Sequence, residues 1–114
     1  MRVGIFDHMD CAHSVKALDG CDVVHGHTYK VEVVVEGPLV DGMVMDFKAL
    51  RETAKRAMAK YDHKDLTKIF DVPSCEVIVK ALFRDIKKEL PGIYSIKMWE
   101  GYNKWAEATR EDAD

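Results

Sequence analysis

The stretch His25-Gly26-His27-Thr28-Tyr29-Lys30-Val31-Glu32-Val33-Val34-Val35-Glu36 decides how the rest of the chain is read. Its odd positions carry His25, His27, Tyr29, Val31, Val33 and Val35, and its even positions are mostly polar. Side chains alternate across a strand with a period of two, so one face is apolar with two imidazoles at its start and the other faces water. Gly37-Pro38 ends the strand, and Asp41-Gly42 has the composition of a tight turn. Upstream, Val3 and Ile5 alternate with Arg2 and Gly4, which predicts a short strand from Met1 to about His8.

Two helices are predicted next. Asp46 suits an N-cap, and Phe47, Leu50, Ala54, Ala57, Met58 and Tyr61 fall on one stripe. Asp62-His63-Lys64-Asp65-Leu66 breaks that spacing and reads as a loop. Pro73-Ser74 opens the second helix, with Glu76 in its first turn, where a carboxylate complements the dipole. Ile78, Ala81, Leu82 and Ile86 give its apolar stripe, and Pro91-Gly92 stops it. Tyr94, Ile96 and Met98 then alternate with Ser95 and Lys97, and Glu100 shares their parity. Gly101 and Asn103 turn the chain into a last strand, Lys104 to Thr109, before a polar tail, Arg110 to Asp114, expected to fray. The order is β-β-α-α-β-β: an α+β fold, a four-stranded sheet with two helices on one face and two open edges.

At 114 residues, this is the length of a single domain, residues 1–114. With 47% hydrophobic and 32% charged residues, the composition is globular. A net charge of -3 does not favour non-specific nucleic-acid binding. No apolar run approaches the ~20 residues of a membrane span. Met1-Arg2-Val3-Gly4-Ile5-Phe6 lacks signal-peptide architecture. Three cysteines, Cys11, Cys21 and Cys75, cannot all pair within one chain. A cytoplasmic protein with free thiols is expected.

His25-Gly26-His27 is the sharpest chemical feature. Two histidines two apart on a strand point the same way and can converge on one zinc ion, which in catalytic sites takes three protein ligands. His8, His13 and His63 are candidates for the third, and spacing does not choose among them. The alternative is a pair of inert, hydrogen-bonded histidines. Cys21 could close the site as a fourth ligand or act as a low-pKa base beside an open one. Cys11 and Cys75 read as packing. Asp62 could orient His63 for proton transfer, or simply cap a turn. Glu100 ends an apolar strand face, where a carboxylate needs a donor-rich partner unless the strand frays into solvent there.

Several segments resemble the 6-pyruvoyl-tetrahydropterin synthase / 6-carboxytetrahydropterin synthase family. Cys11-Ala12-His13 resembles its early Ala-His. Cys21-Asp22-Val23-Val24-His25-Gly26-His27-Thr28-Tyr29 resembles its Cys-x-x-x-His-Gly-His-Thr-Tyr. Gly42-Met43-Val44-Met45-Asp46-Phe47, Tyr61-Asp62-His63-Lys64-Asp65-Leu66, Pro73-Ser74-Cys75-Glu76 and Trp99-Glu100 match further family segments, in order. The resemblance implies that His13, His25 and His27 bind zinc, that Cys21 is the catalytic thiol assisted by Asp62 and His63, and that Glu100 anchors a pterin. It implies the tunnelling fold, in which three subunits close a barrel and two trimers stack as a homohexamer. The even face of the second strand, with Thr28, Lys30, Glu32 and Glu36, would suit the lumen. Glu100, or Asp62 with His63, is then expected to face the zinc of another subunit.

The chain differs from the family pattern in a short loop from His13 to Cys21, in Val77 where Asn is usual, and in Gly101 where Thr is usual. The Cys21–His25 gap resembles the 6-carboxytetrahydropterin branch of deazapurine (queuosine or archaeosine) biosynthesis. That branch converts 7,8-dihydroneopterin triphosphate to 6-carboxy-5,6,7,8-tetrahydropterin, triphosphate and acetaldehyde. The alternatives are 6-pyruvoyl-tetrahydropterin synthase, which eliminates triphosphate without the cut, and a non-catalytic zinc- or pterin-binding relative. A further branch cuts to 6-hydroxymethyl-dihydropterin, and its members tend to carry Glu where Cys21 stands.

Overall fold

The computed structural model describes residues 1–15 and 23–112. Strands β1 (Arg2–His13) and β2 (His25–Glu36) are followed by helix α1 (Phe47–Met58), a 3-10 turn (Leu66–Lys68), helix α2 (Cys75–Glu89), and strands β3 (Ile93–Glu100) and β4 (Lys104–Thr109). All neighbouring strands are antiparallel, in the order β1-β2-β3-β4. The edges are therefore β1 and β4.

The predicted alternation of β2 is realised: Tyr29, Val31, Val33 and Val35 are buried, and Thr28 and Glu36 are exposed. They form one core with Met9, Ile96, Met98 and Ala108 from the other strands and with Leu50, Ala54, Ile78, Leu82, Phe83 and Ile86 from the helices. Each large side chain so buried is worth ~1.5–3 kcal/mol. Both helices begin at side-chain caps. Asp46 accepts from the Lys48 amide, and Ser74 accepts from the Val77 amide. Asp41 and Gly42 both adopt positive φ, 52° and 80°, closing the Val40–Met43 turn as their residue types allow.

Four local expectations are corrected. Strand β1 runs to His13, not to about His8, because Met9, Cys11 and His13 continue the inward alternation opposite Tyr29, His27 and His25. Tyr94 leaves the Ile96–Met98 face. A register shift at Val34/Val35 pairs Val35 with Ile93 and Val34 with Ser95, so Tyr94 is the extra residue of a bulge. Its ring instead receives the Arg2 guanidinium at 3.7 Å. Phe47, the first residue of α1, is 55% exposed, so the buried stripe starts at Leu50. The tail does not fray at once: Arg110–Asp112 forms a 3-10 turn, Asp112 accepts from the Thr109 amide, and Arg110 Nε donates to the Ile93 carbonyl.

Candidate metal and pterin site

The β1–β2 register builds the site. His13 lies opposite His25, and His27 lies opposite Cys11, two residues along the same face. All three rings leave the sheet on its helix side, at the end away from Gly37. Their centroids are 4.7–4.9 Å apart and their planes nearly perpendicular. One ring nitrogen from each lies within 4.8 Å of the others. Of the three candidates for the third member, the structure brings in His13. His8, at even parity, sits on the opposite face beside Phe6.

Hydrogen bonding fixes the state of two of these rings. His13 Nδ1 lies 2.7 Å from the Pro73 carbonyl, and His25 Nδ1 lies 2.7 Å from the Val23 carbonyl. A carbonyl only accepts, so each Nδ1 carries a proton, and the nitrogen left to hold a metal ion is Nε2. Those two Nε2 atoms face each other at 3.1 Å. A shared proton or a metal ion would relieve the repulsion of two lone pairs at that separation. His27 Nε2 is buried without a hydrogen-bond partner, although Glu100 Oε1 approaches to 3.4 Å. Burial lowers the His27 pKa, against an upward pull from Glu100. The donor set fits zinc: three imidazole nitrogens gathered at one point, two of the rings held from behind by carbonyls.

Beside the trio lies a cavity of about 220 Å³, lined by His13, Ser74, Cys75, Glu76, Glu100 and Lys104 among others. Glu100 ends β3 opposite Tyr29, and Glu76 enters from the first turn of α2. Two carboxylates converging on a small cavity suit a ring with several N–H donors. Glu76 is legible in sequence as a dipole partner and as part of a family segment but not as a cavity residue, and Lys104 carries no signal, because both placements depend on how β4 and α2 meet the sheet. Gly101, which departs from the family pattern, starts the β3–β4 turn at φ 70°, where a β-branched residue would be strained. Val77 is 37% exposed and contributes no polar atom.

Asp62 and His63 form a second cluster. The Asp10 amide donates to Asp62 Oδ1 at 2.9 Å, His63 Nδ1 lies 3.1 Å from Asp62 Oδ2, and the His63 amide donates to the Asp10 carbonyl at 2.6 Å. His63 adopts φ 61° to make this turn. The Asp–His pair expected from sequence is thus formed, together with Asp10, which sequence reading missed. It borders a cleft of about 480 Å³ that reaches Gly26, His27 and Thr28. Glu100 lies against the His27 of its own chain. Cys21 lies outside the described residues. Cys11 donates to the Tyr61 carbonyl and Cys75 to the Met98 carbonyl. Burial pushes both thiols up to about 12.

The fold is shared with a 6-pyruvoyl tetrahydropterin synthase from Caenorhabditis elegans, at TM-score 0.89 and 19% identity over 96% of this chain and 94% of that one. The Plasmodium falciparum protein of the same description gives TM-score 0.77 at 20% identity, over 95% and 96%. A four-stranded antiparallel sheet backed by two helices in this arrangement is the tunnelling fold. A model of the family described as 6-pyruvoyl tetrahydropterin synthase matches residues 3–111. A dihydroneopterin monophosphate aldolase from Pyrococcus furiosus is 41% identical over 95 residues, 81% of this chain and 82% of that protein. A putative 6-carboxy-5,6,7,8-tetrahydropterin synthase from Archaeoglobus fulgidus is 34% identical over 111 residues, 96% of each. The chain belongs to the 6-pyruvoyl tetrahydropterin synthase family.

Proposed function

We propose that this pterin-family enzyme is a zinc-dependent 6-carboxytetrahydropterin synthase, converting 7,8-dihydroneopterin triphosphate and water to 6-carboxy-5,6,7,8-tetrahydropterin, triphosphate and acetaldehyde. The observation that carries the reading is the pair of Nε2 lone pairs, on His13 and His25, aimed at one point beside the partnerless Nε2 of His27. When bound there, zinc supplies a Lewis acid and a template for the side-chain hydroxyls, lowering their pKa.

The chain's own residues do the rest. Glu100 accepts from the amino and ring N–H donors of the pterin and so orients the ring edge-on in the cavity beside His13. Cys21 moves the proton at the side-chain carbons, a role the two thiols with pKa near 12 are poorly placed to take. Asp62 holds His63 for a second proton transfer. That pair belongs to a cluster separate from the trio, and a site completed by the pair of a neighbouring copy fits a homohexamer that would also pair the open edges of β1 and β4. No helix of the described residues is long and apolar enough to cross a membrane, and a cytoplasmic setting fits this role.

The Pyrococcus furiosus relative favours a second reading, an aldolase acting on dihydroneopterin monophosphate and leaving a 6-hydroxymethyl pterin. Both reactions cut the side chain at the same carbon–carbon bond. Product analysis separates them. The zinc-loaded protein incubated with dihydroneopterin triphosphate should release acetaldehyde and a 6-carboxy pterin. A 6-hydroxymethyl product from the monophosphate would replace this reading with the aldolase. A 6-pyruvoyl product would assign triphosphate elimination alone, and no turnover of either substrate would leave a binding protein.

A further inference from the structure

The cavity beside His13 holds two carboxylates and one cation. Lys104 is the first residue of β4 and lies directly opposite Glu100 in the β3–β4 register. Directly opposed residues put their side chains on the same face of a sheet, ~4.5–5.5 Å apart at Cβ. Lys104 therefore leaves the sheet on the face of Glu100 and the histidine trio, and it lines the same cavity. Among the described residues no carboxylate oxygen lies within 4 Å of its ammonium, and its hydrogen bond is to Asn103 Oδ1, at 3.4 Å.

A pterin presents a three-part edge: a 2-amino donor, an N3–H donor and an O4 acceptor. Glu76 and Glu100 can meet only the donors, since ionised carboxylates accept and do not donate. An O4 atom stripped of water and left unpaired would work against binding. Lys104 is a cationic donor one cross-strand position from the carboxylate that grips the neighbouring N–H groups. We infer that Lys104 donates to O4 of the pterin ring and makes the pocket selective for 4-oxo over 4-amino pteridines. This rests on the pterin reading above and adds a specificity-determining residue to it.

The test compares binding of 6-hydroxymethylpterin and 2,4-diamino-6-hydroxymethylpteridine to the zinc-loaded protein. Neither probe carries phosphate, and they differ at position 4 and in the N3–H that only the 4-oxo ring carries, so the Lys104 contribution is read from the variants. The unsubstituted protein should prefer the 4-oxo ring. Lys104→Met should weaken 6-hydroxymethylpterin by ~10–100-fold, the range for a hydrogen bond to a charged group, and leave the diamino probe unchanged or tighter. Lys104→Arg should restore the preference. Lys104 is exposed, so zinc content and melting temperature should be unchanged in both variants. An equal loss for both probes would overturn the inference. So would a loss seen only with dihydroneopterin triphosphate, which would make Lys104 a phosphate contact. If the unsubstituted protein binds neither probe, the pterin reading itself fails, and this assignment with it.

Discussion

His13 and His25 owe their orientation to two backbone carbonyls, at Pro73 and Val23. Without those acceptors each ring could turn either nitrogen inward. With them, two lone pairs are committed before any ion arrives, which reduces the reorganisation that binding requires. A His25→Ala, His27→Ala double variant should therefore lose its zinc, measured by metal analysis of the purified protein. Full retention would remove the trio as the site. Cys21 gives the complementary expectation. Three histidines satisfy a catalytic zinc, and a fourth protein ligand would close the position the substrate needs. Cys21→Ala should lose ~10²–10⁴-fold in turnover, the usual contribution of a general acid–base group, and keep both zinc and pterin binding. Loss of zinc in that variant would make the thiol a ligand.

At the scale of elements, much was legible and the failures share a cause. Strand β2, the Asp46 and Ser74 caps and strand β4 lie where local pattern puts them, because alternation and capping depend on near neighbours in sequence. The end of β1 and the bulge at Tyr94 were not legible, because each is a property of pairing with another strand. The same holds for the site. Two of its histidines announce themselves two residues apart. His13 becomes distinguishable from His8 only once β1 is known to continue inward-facing to its end. Ser74 gives a test of element stability. Its side chain accepts from the Val77 amide at 3.2 Å, so Ser74→Ala should cost ~0.5–2 kcal/mol in urea unfolding, in the usual range for a lost N-cap. An unchanged midpoint would mean the α2 cap contributes nothing.

For the whole molecule, the core is protected against neutral but not alkaline conditions. Burial raises the pKa of Cys11 and Cys75 to about 12 and moves Tyr29 and Tyr61 upward as well. In each case the folded chain favours the neutral form. That advantage is complete below the pKa of the unfolded chain, ~8.5 for thiols and ~10 for tyrosines, and it is lost as pH rises beyond them. Stability should hold through neutrality and fall above about pH 8.5, with Cys11 alone contributing up to ~1.4 kcal/mol per pH unit until about pH 12. Urea midpoints at pH 7.5 and 10.5 check this, and equal midpoints would refute it. The proposed homohexamer is checked by light scattering at micromolar concentration, where a monomer would contradict it.

The hydrogen bond from His13 Nδ1 to Pro73 O has a consequence for motion. Pro73 immediately precedes Ser74, the cap of α2, so the ring that offers its lone pair to the metal is tied through one carbonyl to the point where a 15-residue helix begins. Any opening of the first turn of α2 must release that ring. Binding free energies are reciprocal, so an ion that holds the ring also holds the turn. Amide hydrogen exchange should thus slow on zinc loading at Cys75, Glu76 and Val77, residues that need not touch the metal. The start of α2 would then report occupancy of the histidine cluster at the far end of β1.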